Sequence, residues 1–258
     1  MRSSRADLAR ARWVLLRGLA REAGHWGAFP SVLQRALPGT EILCPDLPGC
    51  GVAEATPSPA TVPAILDSVR AALRPAVSRP LVALGISLGG MLVLDWLARY
   101  PGELAGAVLI NTSVGGLCAP WRRLRPRGIW RLAGAALAGS PSRREAHVYA
   151  MVSARPAAAA AVVASWVALD AAHHIAVRTA RRQILAAARY RPPSLPQGAD
   201  ALVLTSASDG MVNPSCSRAI AAAMGAPLRE HPTAGHDLPL DEPEWAATQI
   251  AGWIADHP

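Results

Sequence analysis

Short apolar runs at 13–16, 41–44, 81–84, 107–110 and 202–205, and a sixth, more polar segment at 228–231, recur along the chain, with Gly, Pro, Asp, Asn or Ser closing them. Longer helical patterns lie between them, at about 25–37, 61–74, 88–100, 213–224 and 243–255. A run of about four apolar residues between turn signals is too short for a packed helix and reads as a strand. Strands separated by helices cannot close as hairpins. They require crossover connections, so the pattern predicts an α/β chain with a mostly parallel central sheet flanked by helices. At 258 residues, 51% of them hydrophobic, one core of this kind is within reach.

One interval breaks the alternation. From 114 to 196 no strand is predicted, only Arg- and Ala-rich helical sequence such as 143–152 and 156–185. A helical insertion between two strands would sit over the carboxyl edge of the sheet, where α/β proteins bind ligands. The expected organisation is therefore a core from 1–113 and 197–258 and a helical cap from 114–196, with 192–196 as the return hinge. No internal repeat is present, and disorder is expected at most in the first ten residues.

Composition narrows the classes further. All 26 basic residues are Arg, and the net charge is +8. Such uniformity follows from codon composition more readily than from guanidinium chemistry, although the positive field attracts acidic partners. No nucleic-acid recognition motif accompanies the charge, so nucleic acid is not expected as a partner. Cys44, Cys50, Cys118 and Cys216 form neither a CxxC pair nor a zinc-type spacing and read as reduced thiols. The apolar stretch 13–16 is stopped by Arg17, which argues against a signal peptide, and the tract 157–169 is too short to span a bilayer. The expectation is a soluble, cytoplasmic protein.

The chemistry centres on Leu84–Gly90, "LGISLGG". A strand that turns sharply into a helix needs small neighbours, and Gly85 and Gly89 stand two residues either side of Ser87. This is the G-x-S-x-G pattern that lifts a serine oxygen off a sheet and sets it at a helix N-terminus. Serine is a weak nucleophile at neutral pH and needs a histidine, which needs a carboxylate in turn. In this architecture the acid and the histidine follow on loops after later strands.

Of the seven histidines, His236 in "TAGHDLP" lies just past the last predicted strand, behind a flexible glycine. His231 ends that strand; His147, His173 and His174 belong to the insertion, the last two reading as solvent-facing helix residues, with lining of a substrate tunnel as the alternative; His257 is terminal; and His25 precedes the serine. Asp209 in "SASDGMVNP" leaves the strand at 202–205, well placed to meet His236. The preceding strand ends in Asn111, which has no charge to offer, and Asp237 would point elsewhere. Two backbone amides would form an oxyanion hole, that of Leu88 after the serine and that of Leu19 in the loop after the first run. Arg17, Trp26 and Leu238 are candidates for lining the substrate pocket.

In order, "LLRGLA", "CPDLPGCG", "LGISLGGM", "YPGELAGAVLINTS", "SASDGMVNP" and "TAGHDLPLDEP" resemble the α/β-hydrolase superfamily over nearly the whole chain, closest to small capped serine carboxylesterases of the pimeloyl-acyl-carrier-protein methyl ester esterase type. The resemblance implies the α/β-hydrolase fold with a helical cap inserted after the sixth core strand. It also implies Ser87, Asp209 and His236 as triad, Leu19 and Leu88 as oxyanion donors, and no metal or organic cofactor. The activity implied is two-step acyl transfer to water from a small-molecule ester. Thioester cleavage and a non-catalytic binding role on the same fold are the alternatives, and Ser87 argues against the epoxide hydrolase and dehalogenase branches, which use Asp there. Two departures stand out. The usual His-Gly of the oxyanion loop is Arg17-Gly18, which suits bracing of that loop or contact with a substrate carboxylate, and "Asp-x-x-Gly-His-Gly" is here Asp46 to Gly51 with Cys50. The cap opens with Trp121, Arg122, Arg123, Arg125, Arg127, Trp130 and Arg131, a basic face that would suit an acidic acyl-carrier protein.

Overall fold

The computed structural model describes residue 8 and residues 11–73 and 81–257. The expected disordered stretch, 1–10, lies outside the described residues apart from Leu8. Among the described residues there are six strands: β1 (Arg12–Leu16), β2 (Glu41–Leu43), β3 (Leu81–Ile86), β4 (Leu104–Ile110), β5 (Ala201–Ser206) and β6 (Leu228–His231). Every pairing between them is parallel, in the order β2-β1-β3-β4-β5-β6. The helices are α1 (Phe29–Ala36), α2 (Val62–Leu73), α3 (Leu88–Arg99), α4 (Pro120–Arg123), α5 (Pro126–Ala136), α6 (Pro141–Val152), α7 (Ala159–Ala172), α8 (Val177–Arg189), α9 (Ser215–Met224), α10 (Leu238–Asp241) and α11 (Pro243–Ala255).

Alternate side chains of each strand enter two separate cores. Val14, Leu16, Ala83, Leu109 and Val203 face α2, α3 and α9 on one side of the sheet. Trp13, Leu15, Val82, Leu84, Val108 and Leu204 face α1 and α11 on the other. Burial on both faces explains why β3 and Ala201–Leu204 of β5 are continuously apolar, as parallel strands are. Truncating one of these fully buried leucines to Ala costs about 2–5 kcal/mol.

The strand order creates one special place. The chain leaves β1 toward β2 on one side and then passes back across to β3, so the carboxyl ends of β1 and β3 part into a crevice. The loop that begins at Arg17 and the turn at Ser87 leave from those two ends, side by side.

Among the described residues no strand falls in 114–196, and helices α4 to α8 fill the interval between β4 and β5. Among the described residues four strands, β1 to β4, precede this segment, where the resemblance implies six. Two expected helices are also broken. Gly27, at φ 54°, separates a 3-10 turn at Ala23–Trp26 from α1. The continuous helix expected over 156–185 ends at Ala172, where His173 turns extended and its ring meets Glu22. No single described helix is long and apolar enough to cross a membrane; the segments Pro156–Ala172 and Val177–Arg189, bent by 110°, pass together on length and composition.

Candidate active site

Ser87 sits between β3 and α3 with φ 56°, a conformation L-residues seldom adopt. Its backbone is held on both sides. The Ser87 amide donates to Ile110 O at 2.9 Å, and its carbonyl accepts from the Thr112 hydroxyl at 2.7 Å and the Met91 amide at 3.2 Å. The three glycines of "LGISLGG" are demanded by this packing. A Cβ on Gly85 would overlap the Gly89 carbonyl, one on Gly89 would overlap the Leu16 carbonyl, and one on Gly90 would lie 2.6 Å from Thr112 Cβ. Gly18, in the loop after β1, is less crowded: an added Cβ would sit 3.4 Å from Ser87 Cβ, in ordinary contact.

Asp209 and His236 meet from the ends of β5 and β6, with His236 Nδ1 2.7 Å from Asp209 Oδ2 and both side chains almost wholly buried. The other carboxylate oxygen, Oδ1, accepts from the amides of Met211 at 2.7 Å and Val212 at 2.9 Å. Asp209 is thus fixed at both oxygens. Burial acts most strongly on His236 and disfavours its cation. The charge and hydrogen bond of Asp209 outweigh that, with help from Asp237, and its pKa lies above the ordinary histidine value. Ser87 and His236 line the same cavity, of about 300 Å³.

Asn111 proves to be the support of this loop. It adopts φ 44° at the end of β4, and its side-chain NH2 donates to His236 O at 2.8 Å and Ser206 Oγ at 3.0 Å. Its Oδ1 accepts from the Ser206 amide at 2.9 Å. A residue set aside for lacking charge therefore fixes the loops that carry both Asp209 and His236; the sequence signal was a polar amide at a strand end.

Leu88 is the first residue of α3, where amides have no partner within the helix. Leu19 lines the cavity. The next residue, Ala20, has φ 50° and gives its amide to Gln183 Oε1 of α8 at 2.7 Å, so the loop is clamped from above.

Arg17 also borders the cavity, but its guanidinium is occupied. It forms two bonds to Asp237, at 2.6 and 3.2 Å, and lies 4.7 Å from the centre of the Trp26 ring. Trp26 does not line the cavity; it is buried against Phe29 beneath Arg17. Leu238 is likewise in the core under α10, because the chain turns inward after Asp237. His173 and His174 both border the cavity; His174 is also largely exposed to solvent, as expected, whereas His173 is partly covered and meets Glu22 at 3.1 Å.

A second polar group was not anticipated. Arg21 bonds Glu145 of α6 at 2.7 Å and His25 Nε2 at 2.8 Å, and its guanidinium lies 4.4 Å from the centre of the Trp166 ring. This joins the β1 loop to the helical segment. Burial, then the cations of Arg21 and Arg17, lower the His25 pKa to about 2. The folded state keeps His25 neutral while the unfolded chain protonates it below about 6.5, so stability present above that pH is lost as pH falls. Unfolding free energy is expected to drop by about 1.4 kcal/mol per pH unit below that point from this residue. Chemical denaturation of the wild type and of His25→Gln between pH 7.5 and 4.5 should show a shallower slope in the variant; equal slopes would refute the assignment.

Among the described residues no group of three or more His, Cys, Asp or Glu is placed to hold a metal ion. Residues 13–249 match the family described as the alpha/beta hydrolase family. The chain belongs to that family. Among curated proteins it is similar to a pimeloyl-[acyl-carrier protein] methyl ester esterase from Xylella fastidiosa strain M12, 33% identical over 100 residues that cover 39% of this chain and 36% of that protein. A second, from Aromatoleum aromaticum, is 37% identical over 92 residues, covering 34% of each. The matched part is thus only about a third of these relatives' length. Among solved structures, the fold matches an esterase from Rhodococcus sp. ECU1013 (TM-score 0.76, 20% identity, 100% of this chain and 94% of that one). It also matches the enol-lactonase of Burkholderia xenovorans LB400 (TM-score 0.76, 19% identity, 95% and 92%). Within the alpha/beta hydrolase family, then, this chain carries its serine, acid and histidine candidates at the ends of β3, β5 and β6.

Proposed function

We propose that the protein is a serine hydrolase of carboxylic esters, with Ser87 as nucleophile, His236 as base and Asp209 as the group that orients and charges it. The observation that carries this reading is the buried Asp209–His236 pair bordering the same cavity as a serine in left-handed backbone geometry. With Nδ1 directed at Asp209, the Nε2 of His236 is the nitrogen left to accept the Ser87 proton. The serine oxygen attacks the ester carbonyl, and the developing oxyanion is met by the Leu19 and Leu88 amides. The imidazolium protonates the leaving alkoxide, and the same nitrogen then activates water against the acyl-enzyme.

Residues 114–196 act as the cap in this reading. Leu132, Val148, Met151, Trp166, Leu169 and Ile184 from that segment border the cavity and suit an acyl chain. The Arg17–Asp237 pair supports bracing of the oxyanion loop over contact with a substrate carboxylate, since the guanidinium is already neutralised.

Fluorophosphonate labelling followed by peptide mapping tests the nucleophile, and a chain-length series of p-nitrophenyl esters beside acyl-carrier thioesters tests the substrate. The expected result is one adduct, on Ser87, and turnover of esters above thioesters. Folded protein that takes no label would assign the fold a binding role, and faster thioester turnover would make the enzyme a thioesterase.

A further inference from the structure

Residues 114–196 contain thirteen of the 26 arginines and only two acidic residues, Glu145 and Asp170, so this segment carries +11 while the rest of the chain sums to −3. No carboxylate occurs between Glu103 and Glu145, or between Asp170 and Asp200. The first gap holds α5 and the second holds α8. Arg127 and Arg131 on α5, like Arg178 and Arg181 on α8, have no carboxylate partner among the described residues.

The same helices expose apolar surface. Of the nine exposed large hydrophobic side chains among the described residues, only Val52 lies outside this segment. One face of α5 is spent on the protein interior, where Leu132 and Ala135 border the cavity. The opposite face carries Ile129, Trp130 and, one residue past the helix, Leu137, which are 53%, 79% and 85% exposed. Their spacing of one, seven and eight residues keeps them on one side at helical periodicity, together with Ala133. Arg127 and Arg131 lie together along one side of this ridge, where they also border a second, smaller cavity with Met151, Ser208 and Gly235. The ridge also adjoins the cavity entrance, because Ala136, next to Leu137, and Val177 of α8 both border the cavity and are exposed.

A protruding ridge of Trp, Ile and Leu beside guanidiniums without a carboxylate partner calls for a surface with both apolar depth and fixed negative charge. An acidic protein matches the guanidiniums but would need a groove complementary to the ridge. A lipid surface deforms around it. We infer that this face docks the protein peripherally on an anionic lipid surface, with Ile129, Trp130 and Leu137 at acyl-headgroup depth and Arg127 and Arg131 on lipid phosphates. Each arginine near such a surface contributes about fivefold in affinity, and salt screens that part.

The test is cosedimentation of the full chain with vesicles of phosphatidylcholine alone and vesicles in which a quarter of the lipid is phosphatidylglycerol. Binding to the anionic vesicles is expected to be at least about tenfold tighter and to weaken with salt. Trp130→Ser with Leu137→Ser should abolish it, and Arg127→Gln with Arg131→Gln should remove most of the anionic preference. None of these four side chains borders the cavity lined by Ser87 and His236, so turnover of a soluble ester and the thermal midpoint check that each variant is folded. No binding to either vesicle overturns the inference, as does binding that the variants leave unchanged. Retention on an immobilised acidic acyl-carrier protein without vesicle binding also overturns it and assigns the face to a protein partner. The result is independent of whether Ser87 turns over an ester.

Discussion

Ser87→Ala is expected to lower kcat for a p-nitrophenyl ester by about 10⁴- to 10⁶-fold while leaving the protein folded. In the proposed mechanism the loss is large because the hydroxyl oxygen would form the acyl bond, and no neighbour on the same turn can replace it: Ile86 and Leu88 are apolar and Gly89 has no side chain. Stability should hardly change. The strained turn is kept by backbone bonds to Ile110 and Thr112 and by the close glycine contacts, none of which involves Oγ. Alanine keeps the β-carbon for which the site already has room, so the change in unfolding free energy should stay within about 0.5 kcal/mol. Steady-state kinetics paired with a thermal melt separates the two. Residual activity above about a hundredth of wild type would place the nucleophile elsewhere.

The strands and the serine turn were legible because their signals are local. An apolar run bounded by breakers fixes a buried strand, and β3 extends the expected 81–84 only as far as Ile86. The spacing of Gly85, Ser87 and Gly89 encodes a turn that no bulkier neighbours permit. The order of Asp209 and His236 was likewise readable, since each follows an expected strand by a few residues.

What sequence did not show are contacts between distant segments. Arg17 and Asp237 are 220 residues apart, and nothing near either announces the pair. Trp26 and Leu238 lie close in sequence to the site loops, yet they turn into the core; nearness along the chain fixes position and not side-chain direction. Asn111 was judged by charge, whereas its contribution is geometric, as an amide that both donates and accepts in a dry site. The Arg21–Glu145 bond depends on how α6 settles over the β1 loop, which only tertiary packing decides.

The geometry around Asp209 predicts a second large loss with a distinctive signature. In Asp209→Asn the Oδ1 position remains bound to the amides of Met211 and Val212, which require an acceptor there. The NH2 group is therefore forced into the place of Oδ2, facing His236 Nδ1. A donor now meets that nitrogen, the ring proton moves to Nε2, and the nitrogen needed to take the serine proton is already protonated. A fall in kcat of about 10⁴-fold is expected from this tautomer reversal. The pH profile should shift as well. In the wild type the carboxylate overcomes burial and holds the His236 pKa above its ordinary value, so the acid limb of kcat/KM, which reports loss of the neutral base, lies above about 6.5. Removing the carboxylate leaves burial in force without its main counterweight, and the limb should move to lower pH. A simple loss of folding would reduce activity at every pH without moving the limb. A limb that stays in place while activity persists would mean that His236 is not the base.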